Sequence, residues 1–147
     1  MSEFSEFLRE KNEMSKAKEI QWEQVKSEWI QTVEDFMEEL SGWVEDERQK
    51  GLVKIEKTQV KLTEEELGAY AVSSLKMRVG KTTVNVTPIA RLVVGATGRI
   101  DVFGEFSRYI VLDHKDRGWI YRKEGQGGAY KKFDKRAFLE MVMEIIS

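Results

Sequence analysis

The strongest constraint on the fold is an apolar stripe in the first third of the chain. Trp22, Val25, Trp29, Val33, Phe36, Leu40 and Trp43 recur at steps of three and four residues. That spacing keeps all seven side chains on one face of an α-helix. From Ser2 to Glu47 there is no proline and a single glycine, Gly42. Strong helix formers dominate the segment. Ile30, Met37 and Val44 widen the stripe, while Phe4, Phe7 and Leu8 make a separate cluster near the start. Residues 9–19 are nearly all polar. The pattern predicts a long amphipathic helix, either split in two or continuous with a weakly anchored first part.

Length then matters. A helix of about 40 residues spans about 60 Å. A compact body of about 100 residues has a radius of gyration near 13 Å. The helix must overhang, and its stripe needs cover. A second copy of the chain is the simplest cover, because two-fold dimers are the commonest oligomers. The expectation is a homodimer, or a protein partner, held through Trp22, Val25, Trp29, Val33, Phe36, Leu40 and Trp43.

The rest reads as strands. Leu52–Leu62 alternates loosely, and Thr63-Glu64-Glu65-Glu66 has capping-box spacing for a short helical turn ending at Gly68, with a loop as the alternative. Tyr70–Val79 and Thr82–Thr87 form a hairpin about Gly80-Lys81. Pro88 belongs at a strand end or edge. Ile89–Val94, Arg99–Phe103, Arg108–Leu112 and Trp119–Arg122 complete the strands, and Glu124–Gly128 is a loop. Asp134 caps a last helix that buries Phe138, Leu139, Val142, Ile145 and Ile146. The class is α+β: a long N-terminal amphipathic helix, an antiparallel meander of about six strands, open or barrel-like, and a C-terminal helix. Residues 1–50 form a helical arm and residues 51–147 an antiparallel β domain with the closing helix, together one domain.

Composition excludes several functions. Apolar residues at 41% and charged residues at 34% fit a folded, soluble chain. With no cysteine, disulfide scaffolds, thiolate metal sites and cysteine nucleophiles are ruled out. His114 is the one histidine, so no metal site can use two. No apolar run approaches the roughly 18 residues of a membrane span, and Met1–Glu10 lacks signal-peptide character. A cytoplasmic protein away from membranes is expected. Residues 1–50 carry 14 acids and 7 bases, whereas residues 51–147 carry 12 acids and 17 bases. Gly80-Lys81-Thr82 is no phosphate loop, because Leu75 stands where that motif needs glycine.

One constellation carries possible chemistry. Asp101 is followed, after a hairpin, by Asp113-His114-Lys115. On a strand, Asp113 and Lys115 would share a face. This acid, then acid-x-Lys, resembles the PD-(D/E)xK nuclease family, in particular its RecB-like members. The resemblance implies that Asp101 and Asp113 ligate magnesium or manganese and that Lys115 is the catalytic lysine. It implies further that Gln126 and Tyr130 echo a Gln-x-x-x-Tyr element and that Glu39 or Glu45 completes the site. The plainer reading is a β-hairpin with a charged turn, and it calls for no cofactor.

Bases also crowd the β half, among them Arg78, Lys81, Arg91, Arg99, Arg108, Arg117, Arg122 and Lys123, with Tyr109, Trp119, Tyr121 and Tyr130 interleaved. Such a sheet can bind nucleic acid. The first reading is a non-enzymatic interaction or accessory protein acting through its N-terminal helix. A metal-dependent nuclease and a nucleic-acid-binding β domain are the alternatives.

Overall fold

The stripe folds into one unbroken helix. A computed structural model describes residues 2–147, so residue 1 of the expected arm lies outside it. Helix α1 runs Glu3–Trp43, 41 residues, or about 60 Å. Ser2 caps it, its hydroxyl accepting from the Ser5 N–H at 3.1 Å, with Glu3 and Glu6 in the first turn. Both features satisfy the positive end of the helix. A short helix α2, Glu45–Gln49, follows directly.

Seven strands come next: β1 Lys54–Glu64, β2 Gly68–Val79, β3 Thr82–Ala90, β4 Arg99–Phe103, β5 Arg108–His114, β6 Gly118–Lys123 and β7 Lys131–Lys132. Each pairs antiparallel with its sequence neighbours in the order β1 to β7. The sheet is an open meander, not a barrel. The seventh strand is two residues long, too short to leave a sequence pattern. Helix α3, Lys135–Ile146, is capped by Asp134, whose Oδ1 accepts from the Ala137 N–H at 2.9 Å.

Register fixes the two faces of the sheet, because directly paired residues point the same way. One row is Leu75, Val86, Val102 and Tyr109; the next is Pro88, Ile100, Val111 and Tyr121. This inner face meets both helices. Trp29, Val33, Phe36, Met37 and Leu40 of α1 and Phe138, Met141 and Val142 of α3 are buried against it. Phe36 packs on Trp119 with ring centroids 4.5 Å apart, and Trp43 on Phe138 at 5.9 Å. Gly98 lets the chain pass Trp29: a Cβ there would fall 2.2 Å from the indole ring.

The β1–β2 hairpin bends around α1. Strand β2 pairs with β3 only over Leu75–Val79, and its first half pairs with β1 alone. Burial changes phase at the same place: Leu75 and Met77 are buried on one parity, Val72 and Tyr70 on the other, with Ser73 and Ser74 both buried between. Polar bonds fasten the bend to the helix. Glu34 accepts from Ser73 and pairs with Lys57, and Lys26 reaches the Leu67 carbonyl at 3.5 Å.

Three local readings change. Thr63–Glu66 enters the β1–β2 turn instead of a helix, and Glu64 acts at long range. Its carboxylate accepts from the Arg91 and Leu92 N–H groups at 2.8–3.1 Å and from the Tyr70 hydroxyl. Ile89–Val94 is not a separate strand; β3 continues to Ala90 and residues 91–98 form a loop closed by a Val93–Ala96 bridge. Pro88 lies inside β3, at the register shift between Pro88 and Ala90, where a missing ladder donor is tolerated. Among the described residues no helix is long and apolar enough to cross a membrane.

Candidate functional site

Asp101 sits in the middle of β4, opposite Thr87 and Ile110. It points to the outer face of the sheet, away from both helices, yet it is 0% exposed. Arginines cover it. Arg99 forks onto the carboxylate with Nε at 2.8 Å and Nη2 at 2.9 Å, and Arg108 adds Nη1 at 2.6 Å. The hydrogen bond to Asp101 holds the Arg99 guanidinium above its ordinary range, so its charge is fixed. Arg108 also lies over the Phe103 ring, 4.0 Å from the centroid. On the next strand Arg122 lies 4.7 Å over Tyr130. A guanidinium has five N–H donors, and the Asp101 bonds use two from Arg99 and one from Arg108, leaving donors turned to solvent.

The three residues singled out for metal chemistry do not converge. Asp113 follows Ile110 by three positions, so it points to the inner face, opposite to Asp101. There it borders a cavity of about 230 Å³ with Trp29, Thr32, Arg91 and Thr97. Lys115 is exposed in the turn after β5, which ends at His114. One ion ligated by oxygen at about 2.0–2.6 Å cannot touch carboxylates on two sides of a sheet. Asp101 already gives both oxygens to arginine. Glu39 is exposed, Glu45 bonds Arg48, and Gln126 and Tyr130 lie in a loop rather than a helix. No group of three or more His, Asp or Glu able to hold a metal occurs among the described residues. His114 accepts from the Asp116 and Arg117 N–H groups and shapes the turn.

The expected interaction stripe is spent inside the chain. Trp29, Val33, Phe36 and Leu40 are buried in the core, and Trp22, Val25 and Trp43 pack half-buried against it. The sheet that covers them wraps the helix, so the cover is the chain's own. What stays uncovered is the part of α1 before Trp22. Phe4, Phe7, Leu8 and Met14 are 70%, 55%, 45% and 55% exposed. Phe4 precedes Trp22, and Phe7 precedes Val25, by eighteen residues, or about five turns. The free arm therefore carries the buried face onward past the sheet. That spacing was the available signal, hidden by the polar stretch between.

Of the interleaved aromatics, Tyr109, Trp119 and Tyr121 face inward and Tyr130 outward. A cavity of about 510 Å³ lies at the inner face between β6, the glycine loop and α3. Tyr109 and Lys123 both close on Glu144 there, and burial pushes the Tyr121 hydroxyl up. Comparison with protein-family models, curated proteins and solved structures returned no match.

Proposed function

We propose that this chain is a cytoplasmic, non-enzymatic interaction protein that forms a homodimer through its free helical arm, Glu3–Gln21. The carrying observation is the run of Phe4, Phe7, Leu8 and Met14, exposed on the face that α1 buries elsewhere. A helix face of this kind is stable in water only as far as something covers it.

Charge favours antiparallel arms. Residues 3–13 carry four acids and two bases, Arg9 and Lys11, whereas residues 14–21 carry Lys16, Lys18 and one acid, Glu19. Antiparallel pairing sets the net −2 stretch of each arm against the net +1 stretch of the other. Lys11 lies on the apolar face, with its ammonium 5.6 Å from the Phe7 ring centroid, and its stem can cover that ring while the charge stays wet. Four phenylalanines at about 150 Å² each, with the Leu8 and Met14 pairs, bring the buried area near about 1,000 Å², the lower bound of a specific interface. Area alone does not set affinity; for so small an interface we propose a weak dimer, with a dissociation constant on the order of 10 µM.

Light scattering tests this. At concentrations about tenfold above that constant, the parent should show about 1.8 times the monomer mass. Phe4→Ser/Phe7→Ser/Leu8→Ser should be monomeric with an unchanged thermal melt of the β domain. A parent that is monomeric at that concentration sinks the proposal.

A further inference from the structure

Beyond self-association, and independently of it, we infer that the outer face of the sheet is a docking surface for single-stranded nucleic acid. Neither helix covers this face, since α1 and α3 both pack on the other side. Lys76, Arg78, Arg99, Arg108, Arg122 and Lys132 project from it on strands β2 to β7 by the register of the sheet. The acids on the same face are Glu56, Asp101 and Glu124. Asp101 is wholly buried beneath two arginines, so the surface a ligand meets is strongly positive. Strands lie about 4.8 Å apart, and the cations from β2 to β7 therefore extend across about 24 Å.

Charge alone would suit any polyanion; the arginine geometry narrows the choice. Arg108 sits over the Phe103 ring and Arg122 over the Tyr130 ring, 4.0 and 4.7 Å from the centroids. Both arginines are also partly open to solvent, Arg108 at 35% of its side chain and Arg122 half-buried. Bases stack on guanidinium planes while the remaining donors reach phosphate. A simple acidic peptide such as polyglutamate offers carboxylates but no aromatic base to stack on them. A single strand fits better than a duplex, because neither helix lies on this face to enter a groove. Half-buried Thr87, Ile110 and Leu112 form a low floor between the arginines. The Asp101 carboxylate is the positioning group: it holds Arg99 and Arg108 in place before any ligand arrives.

The test is fluorescence anisotropy of the full chain with a labelled 20-nucleotide oligothymidylate, at 50 and 200 mM salt. Binding should weaken about 20- to 50-fold between the two salts, as three or four phosphate contacts at about −0.7 in logarithmic slope each require. Arg108→Gln/Arg122→Gln should abolish binding. Lys76→Gln/Arg78→Gln, exposed and outside the Asp101 cluster, should weaken it at least fivefold with an unchanged melt, which keeps the test valid if the arginine variant unfolds. Lys16→Gln/Lys18→Gln makes the same charge change on the arm and should leave binding unchanged. No binding at 50 mM salt overturns the inference, as does equal weakening by the arm variant. So does equal competition by polyglutamate, which would mark an acidic-protein surface, or by a duplex of the same length.

Discussion

Replacing Asp101 by asparagine removes one charge from the most crowded point of the open face. Three charge-assisted hydrogen bonds, at 2.6, 2.8 and 2.9 Å, end on this carboxylate. Buried bonds to charged groups contribute about 1.5–3 kcal/mol each. The arginines, however, are 30% and 35% exposed, so both can turn partly to water once released. Asparagine fills the same space and keeps one acceptor, but its amide hydrogens meet the guanidinium groups. We therefore expect a net loss of about 3 kcal/mol rather than the sum of three bonds. For a chain of this size that is roughly a 6–12 °C fall in melting temperature. Urea unfolding followed by tryptophan fluorescence gives the free energy. A cycle with Arg108→Gln isolates the pair, and we expect a coupling of about 1–2 kcal/mol. An Asp101→Asn variant melting within about 2 °C of the parent, or strictly additive effects, would show that the carboxylate does not organise the arginines.

Further outcomes follow from other parts of the molecule. Gly98→Ala places a Cβ 2.2 Å from the Trp29 ring at a φ of +150°; it should cost about 3 kcal/mol in the same urea assay, and a loss under about 1 kcal/mol would mean the indole can move aside. Burial, then the hydrogen bond to Glu64, raises the Tyr70 hydroxyl well above the usual tyrosine range. Its native form binds the proton more tightly than the unfolded form. Its contribution to stability is therefore complete below about pH 10 and falls as pH rises above that, by up to about 1.4 kcal/mol per unit. Tyr70→Phe should flatten this alkaline decline, and an equally steep decline in the variant would contradict the assignment. Plasmid DNA incubated with manganese should be nicked no faster by the parent than by Asp113→Ala; faster nicking by the parent would revive a two-carboxylate site.

Much of the fold was legible because local rules and tertiary packing agreed. The three-four spacing from Trp22 to Trp43 required one buried helix face, and the Asp134 cap with Phe138 and Val142 placed α3. The bend in β1–β2 was not legible. Burial switches parity between Val72 and Leu75, so alternation over the whole strand averages out. Glu64 shows how a local signal misleads: capping-box spacing describes its sequence, while its carboxylate serves the Arg91–Leu92 backbone nearly thirty residues away. The largely apolar stretch Ile89–Val94 lost to the register shift at Pro88.

The site was half legible. Asp101 stood out, but its partners did not, since Arg99 is two residues away and Arg108 lies across a hairpin. Residue types cannot say which face a carboxylate takes. Pairing of Phe103 with Arg108 sets Asp101 opposite Ile110 and sends Asp113 to the other side. A register shift of one residue would have reversed that relation. The arm was legible in outline, because residues 9–19 are too polar to lie on the sheet, yet its continuity with the buried stripe needed the unbroken helix.

Sedimentation equilibrium of the unmodified chain, from about 1 to about 200 µM, bears most directly on self-association through the arm. The weight-average mass should climb from the monomer toward twice that value with a midpoint on the order of 10 µM, and stay at the monomer throughout for Phe4→Ser/Phe7→Ser/Leu8→Ser. A parent curve flat at the monomer mass, or a variant curve that climbs with it, would contradict the account.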